Sequence, residues 1–461
     1  MRTVLLSFTL CTLLVAGSDG VVAASADRAW FEAWLARIAA TVGAEPTALR
    51  IVTFRSDGRR AQARTTLVLG SDGDRVSVPL RHDIEPAGTD LRVTTRLDLA
   101  ALDEEVRAEL GRYLRDPEAL ALTVTVDRHD DWQGELVLPT MRFEDNAPSP
   151  TAVQMAGARV DFTLDYEGKL PRNGTVAIRI GALEGADAAD GTRFSVRPFE
   201  IDYTFRDFRW YRGRVLEGRG EFVMRDLEFS GRDSEGPFGL EMRRLSFAGG
   251  TRFMRDGRAE GRLSAELRIG RLVQKGTDFG SMGGSMDFTM RFGTRRVLEY
   301  LVDLSTAVTP DAQGDFADEL TDRLPDVLRD VFGRAGMLAL TLAFDSERRG
   351  GMNFELSLDW PATPDGQAPA TLGDWLAASS GRIFLRYPRA WLEDPELQQF
   401  AATPLASGFA AIEGDSVVGR IRLANGMLIS GGEMQPLTVL LGSAADIPLN
   451  WSAEGEGGAQ P

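Results

Sequence analysis

The chain is poor in the residues that carry most protein chemistry. Its 461 residues include one cysteine, Cys11, two histidines, His82 and His129, and two lysines, Lys169 and Lys275. A single cysteine excludes a disulfide framework, dithiol redox chemistry and cysteine metal sites. Two histidines are too few for a zinc centre, which takes three or four ligands that are mostly nitrogen or sulfur. The 52 basic residues, nearly all arginine, are interspersed among 68 acidic ones for a net charge of -16. With no basic stripe to neutralise successive phosphates, nucleic acid is excluded as a partner. A G-x-S-x-G elbow, a phosphate loop and a nucleotide-binding G-x-G-x-x-G are also missing, and Gly276 to Gly284 leads into a strand rather than a helix.

The longest apolar run stands at the N-terminus. Met1-Arg2-Thr3 supplies a positive start, Val4 to Ala16 is almost unbroken hydrophobe, and Ala24-Ser25-Ala26 forms an A-x-A site, which together predict a signal peptide over residues 1–26. About 13 apolar residues are too short to span a bilayer, although reading on to Ala24 leaves an uncleaved inner-membrane anchor as the alternative. Leu10 stands where a lipobox before Cys11 needs a small residue. The expected location is therefore the periplasm, reached by secretion.

From residue 49 onward the dominant pattern is strict alternation. Met286, Phe288, Met290 and Phe292 alternate with Asp287, Thr289 and Arg291; Leu338, Leu340, Leu342 and Phe344 repeat the pattern, as do Met352, Phe354, Leu356, Leu358 and Trp360. Val160 to Tyr166 and Val176 to Ile180 add further examples. Segments with one oily and one polar face predict antiparallel sheet covered on one side. Residues 192–275 read as a meander of neighbouring strands near 222–229, 240–247 and 263–269, separated by connections such as Gly249-Gly250 and Asp256-Gly257. A bulge or edge is expected at Pro198, where the apolar phase changes.

Helices are predicted at 27–42, 102–115, 295–304, 314–333 with an interruption at Pro325, 371–379 and 389–401. The first gathers Trp30, Phe31, Trp34, Leu35 and Ile38 on one face; packing on the sheet is the expectation and contact with a membrane surface the alternative. The breaks at Asn146-Ala147-Pro148-Ser149-Pro150, Thr309-Pro310-Asp311 and Pro361 to Pro369 suggest a signal peptide (1–26), an N-terminal helix plus β domain (27–150), a long antiparallel meander (151–310) and a C-terminal α+β domain (311–461). The fold class expected is mainly β (α+β), with long curved antiparallel sheets and a few covering helices.

No catalytic, cofactor-binding or metal residue is assigned. His82 and His129 each precede an aspartate, a pairing that serves metal ligation or general base chemistry elsewhere. Yet His82 is in phase with Val76, Val78, Leu80 and Ile84, so it is expected to face the covered side of a strand. Asp72-Gly73-Asp74, Asp187 with Asp190, and Glu144-Asp145 lack calcium-loop spacing and are expected to serve turns.

Ile51 to Ser56, the strands Ala63 to Leu69 and Val76 to Ile84, Glu85-Pro86-Ala87-Gly88, Gly236 to Leu240, Ala259 to Leu272, the helix Val297 to Leu304 and Leu423 to Gly432 together resemble the YdgA-like family of bacterial envelope proteins of unknown function. The family tends to have His-Gly-Pro where this chain has Glu85-Pro86-Ala87. The resemblance implies an envelope location, often membrane-anchored, and carries over no catalytic residue. The expectation is a non-enzymatic exported protein, either a structural or envelope-protein-binding β scaffold with a self-packed core, or a binder of lipid or another envelope amphiphile in an apolar groove. An outer-membrane barrel shares the alternation, but the interposed helices, irregular spacing and polar Gly-Ala-Gln-Pro ending weigh against it. A hydrolase would need a nucleophile motif that is absent.

Overall fold

A computed structural model describes residues 26–41, 49–69, 76–127, 129, 131–144, 151–167, 170–187, 191–211, 214–307, 315–363 and 368–449. The predicted signal peptide except Ala26, Cys11, Asp72 to Asp74, Asp145, Asp190 and the polar C-terminus lie outside these residues. The described chain is mainly β, with 24 strands in one antiparallel sheet and seven α-helices. It divides into two compact units. Unit 1 takes residues up to 208, 220–244 and 271–278; unit 2 takes 209–219, 245–270 and the chain from 279 onward. The long strands β14 (Arg214–Asp233), β15 (Gly236–Phe253), β16 (Arg258–Gln274) and β17 (Thr277–Thr294) contribute residues to both.

In unit 1, β1 (Leu49–Ser56), β2 (Ala61–Leu69), β3 (Val76–Ala87), β4 (Asp90–Leu97), β5 (Ala121–Val126), β6 (Trp132–Leu138), β9 (Ala158–Glu167), β10 (Leu170–Ile180) and β13 (Phe199–Tyr211) pair antiparallel in that order. A second ladder joins β7 (Met141–Glu144), β8 (Thr151–Met155), β11 (Leu183–Asp187), β12 (Arg193–Val196) and β14. Helix α1 (Arg28–Thr41) buries Trp30, Phe31, Trp34 and Leu35 against Leu67, Ile84, Val93, Val124, Leu136 and Leu164, giving unit 1 a dry core. The membrane-surface alternative for this helix therefore fails for both tryptophans; the Ile38 side chain lies outside the described set. Helix α2 (Glu104–Tyr113) buries Leu110.

In unit 2, β17, β18 (Gly336–Ser346), β19 (Met352–Trp360), β20 (Ser380–Pro388) and β22 (Ser416–Ala424) are successive neighbours. Strands β21 (Ala410–Glu413) and β23 (Met427–Ser430) also pair with β22, and β24 (Glu433–Pro436) pairs with β23. Helices α3 (Arg295–Ala307) and α4 (Asp315–Phe332) pack together through Val297, Tyr300 and Val327, with Phe292, Leu324 and Val331 against them. Helices α5 (Leu372–Ala378), α6 (Gln398–Ala406) and α7 (Leu437–Leu441) complete the set.

Several local expectations are corrected. Gly249 and Gly250 lie inside β15 rather than in a connection, because a Cβ at Gly250 would stand 2.3 Å from the Gly218 carbonyl and only glycine admits that approach. Gly280 to Gly284 likewise belong to β17. At Pro198 the chain changes partners instead of bulging: Arg197 still donates to Glu228 O, after which β13 pairs with β10 while β12 pairs with β11 and β14. Proline has no N–H with which to continue the ladder. Helix α4 runs through Pro325, since the cost of one missing hydrogen bond is offset by apolar packing on both sides of it. The segment expected as one helix over 389–401 is a 3₁₀ turn, Arg389–Leu392, followed by α6, because Pro395 disfavours helical backbone at Asp394.

Candidate functional site

His82 lies in the interior of unit 1. The residue is 1% exposed, with Nε2 2.8 Å from Thr65 Oγ1 and Nδ1 2.9 Å from Thr95 Oγ1. The edges of Phe31 and Trp34 meet it, with ring centroids at 5.1 and 5.8 Å. Burial lowers its pKa from 6.5 to about 3, so the imidazole is neutral and both nitrogens are engaged. A cavity of about 40 Å³ lies beside it, lined chiefly by Leu35, Leu80, Thr95, Leu122 and Leu136. His129 sits in an exposed turn, where its backbone N–H donates to Asp127 Oδ1. The two imidazoles thus occupy separate environments, one sealed and one in water.

The acids serve turns and ion pairs. Asp57 accepts from Arg59 N and Arg60 N, Asp233 from Glu235 N and Gly236 N, and Glu144 pairs with Arg142. Asp187 accepts from the Thr151 hydroxyl. Among the described residues, no group of three or more His, Cys, Asp or Glu is arranged to hold a metal ion, and no helix is long and apolar enough to cross a membrane.

The feature that stands out is in unit 2. Side chains on a strand alternate between faces, and the registers align Met286–Leu342–Phe354, Phe288–Leu340–Leu356–Ile383–Ile421 and Met290–Leu338–Leu358 across neighbouring strands. None of these side chains is buried, and none joins a core cluster. The face extends onto β16 and β15. Glu260, Arg252, Arg262 and Arg291 contact one another on the polar side, so alternation places Leu263, Leu267 and Phe247 on the apolar one. These three are 40%, 37% and 44% exposed. At about 4.8 Å per strand, the apolar row from β16 to β22 is roughly 24 Å long.

Helices and aromatic rings bound this face at two ends of its strands. At one end Phe292 packs on the α3–α4 pair, while Trp360 and Phe332 meet the edges of Trp375 on α5. At the other, Tyr387, Trp391, Ala401 and Val417 form a buried cluster that takes in Phe344, Met352 and Leu385. Tyr387 donates to Ala401 O and Trp391 Nε1 to Arg349 O, which fixes both rings. Between these clusters the leucines, methionines and phenylalanines are only half covered.

The opposite face is polar. Glu260, fully buried, is held by Arg252, Arg262 and Arg291 at 2.7, 2.9 and 2.5 Å. Burial alone would raise its pKa, but the three guanidinium hydrogen bonds prevail and lower it from 4.5 to about 2. The alternation of the apolar strands was legible in sequence; this four-residue cluster was missed, because strand period shows which residues share a face but not which strands adjoin.

No family model, curated protein or solved structure matches the chain.

Proposed function

We propose that the protein is an exported, non-enzymatic binder of an amphiphile whose hydrocarbon chain lies along the apolar face of unit 2. The observation that carries this reading is the contrast between the units. In unit 1 the apolar row is sealed by α1, whereas in unit 2 an equally regular row is left half exposed. A large apolar side chain contributes about 1.5–3 kcal/mol when fully buried, so a dozen half-covered ones leave a substantial gain for whatever covers them. The roughly 24 Å row exceeds the depth of one membrane leaflet, about half of a 30 Å hydrocarbon core, and so accommodates a lipid acyl chain. Leu, Met and Phe line the face without a charge among them, as suits a chain with no polar group to orient. The self-packed scaffold fits unit 1 and leaves unit 2 unexplained. In this reading His82 is structural, since both its nitrogens are taken by threonine hydroxyls and the residue is buried. Residues 1–26 support export to the periplasm.

The test is purification without detergent, then lipid extraction and titration with a fluorescent fatty acid. Near-stoichiometric lipid, or saturable uptake weakened about tenfold by Leu340→Asp with strand circular dichroism retained, is expected. Apo protein that takes up no fatty acid would overturn the reading, as would a dimer abolished by Leu340→Asp, which would assign the face to a second copy of the chain.

A further inference from the structure

On the polar face of unit 2, Arg382 of β20 and Arg422 of β22 stand directly opposite each other, next to Ser357 of β19 in the same row. Like charges directly opposite on a sheet destabilise the pairing. The facing Arg159 and Arg179 of unit 1 offset the penalty by sharing Asp161, whereas Arg193 opposite Arg232 carries no ion pair among the described residues. Arg420, two residues before Arg422 on β22, is clamped by Glu413, and Arg179 of unit 1 by Asp161 and Glu200. Arg382 and Arg422 have no such partner: among the described residues, no carboxylate lies within ion-pair distance of either. Both border an open cavity of about 670 Å³ that is also lined by Glu355, Ser357, Asp359 and Ser380.

We infer that this cavity binds a phosphate monoester, held between the Arg382 and Arg422 guanidinium groups. Residues opposite each other on a sheet have Cα atoms roughly 4.5–5.5 Å apart, so the two forks reach one group from adjacent strands. A carboxylate has a single edge and satisfies one fork. A phosphate monoester presents three terminal oxygens and close to two negative charges, which satisfies both forks and neutralises the repulsion between them. Glu355 and Asp359 lie on β19 either side of Ser357, two residues away on the same face. They supply acceptors for hydroxyl or ammonium groups on the rest of the ligand. Ile383 and Ile421 of the apolar row also border the cavity, but by alternation the Arg382 and Arg422 side chains project from the opposite face, so the phosphate contacts do not depend on the hydrocarbon-binding reading.

The experiment is calorimetric titration of the whole protein with inorganic phosphate at low ionic strength, alongside flotation with phosphatidylcholine vesicles with and without phosphatidic acid. Saturable binding of free phosphate, weakened about tenfold or more in Arg382→Gln and Arg422→Gln, identifies a soluble phosphate compound as the ligand class. Flotation that requires phosphatidic acid and is lost in the same variants, without binding of free phosphate, identifies a lipid headgroup. Both results support the site. Without phosphate, the two variants should melt no lower than wild type, since each removes a repulsion; phosphate should raise the melting temperature of wild type and not of the double variant. Arg422→Lys, which keeps the charge and loses the fork, should bind at an intermediate strength. Absence of binding in both arms, or binding undiminished in folded variants, would overturn the proposal.

Discussion

At the scale of single residues, His82 couples the stability of unit 1 to pH. Its folded pKa of about 3 lies below the ordinary 6.5, so the unfolded chain takes up a proton at pH values where the folded one does not. Above pH 6.5 both states are neutral and the residue contributes no pH dependence. As pH falls from 6.5 toward 3, stability is lost, by about 2 kcal/mol between pH 7.5 and 5.0. Urea unfolding at those two pH values should show that loss in wild type and a loss smaller by about the same amount in His82→Leu. At pH 7.5 the variant should itself be about 1–3 kcal/mol less stable, because the Thr65 and Thr95 hydroxyls lose their partner. An equal pH dependence in the two proteins would mean that His82 is charged or reached by water. Glu260 acts in the same direction, since its proton too is bound more readily by the unfolded chain. Its pKa of about 2 lies below 4.5, so its contribution is complete above pH 4.5 and is lost as pH falls from 4.5 toward 2. Because two of its arginine partners are well exposed, the expected cost of Glu260→Gln at pH 7 is modest, about 1–3 kcal/mol by denaturant titration.

At the scale of elements, the two apolar sheet faces should respond differently to the same substitution. Leu164 on β9 is fully buried beneath α1, and Leu164→Asp would place a carboxylate in a dry core, costing several kcal/mol and unfolding unit 1. Phe288 on β17 is half exposed, so the aspartate of Phe288→Asp keeps contact with water and should cost about 1–2 kcal/mol while weakening fatty-acid uptake. Circular dichroism melts of the two variants measure the difference; equal destabilisation would show that the face of unit 2 is covered after all. The alternation that reveals both faces, such as Val160 to Leu164 and Phe288 to Phe292, was readable from the sequence because strand side chains repeat every two residues. Which face receives a helix was not readable, since it depends on where the chain returns in space. The partner exchange at Pro198 was hidden for the same reason. The lengths of β14 to β17 were underestimated because glycines inside strands resemble turns: Gly249 and Gly250 look like a connection until the neighbouring backbone at Gly218 is seen to require them.

At the scale of the whole molecule, a binder with one sealed apolar face and one half-covered apolar face should report ligand in one unit only. The face was half-legible in the sequence. Met286 to Trp360 announced the oily rows, but the paired Arg382 and Arg422 on the other side emerge only once β20 and β22 are known to adjoin, since the two residues are far apart in the chain. A ligand that binds the folded state alone stabilises it by mass action, by about 2.7 kcal/mol at a concentration a hundredfold above its dissociation constant. Amides whose exchange requires opening of the occupied surface should then exchange about a hundredfold more slowly. Hydrogen–deuterium exchange with saturating oleate should therefore show that slowing in β18, β19 and β20 and none in β3, β4 and β5, whose apolar face α1 already covers. Protection in both sets would indicate a general stabilisation rather than occupancy of the unit 2 face, and protection in neither would remove the hydrocarbon chain from that face. Adding inorganic phosphate instead of oleate should protect β20 and β22 without requiring protection of β17, because Arg382 and Arg422 lie on those two strands and project from the other side.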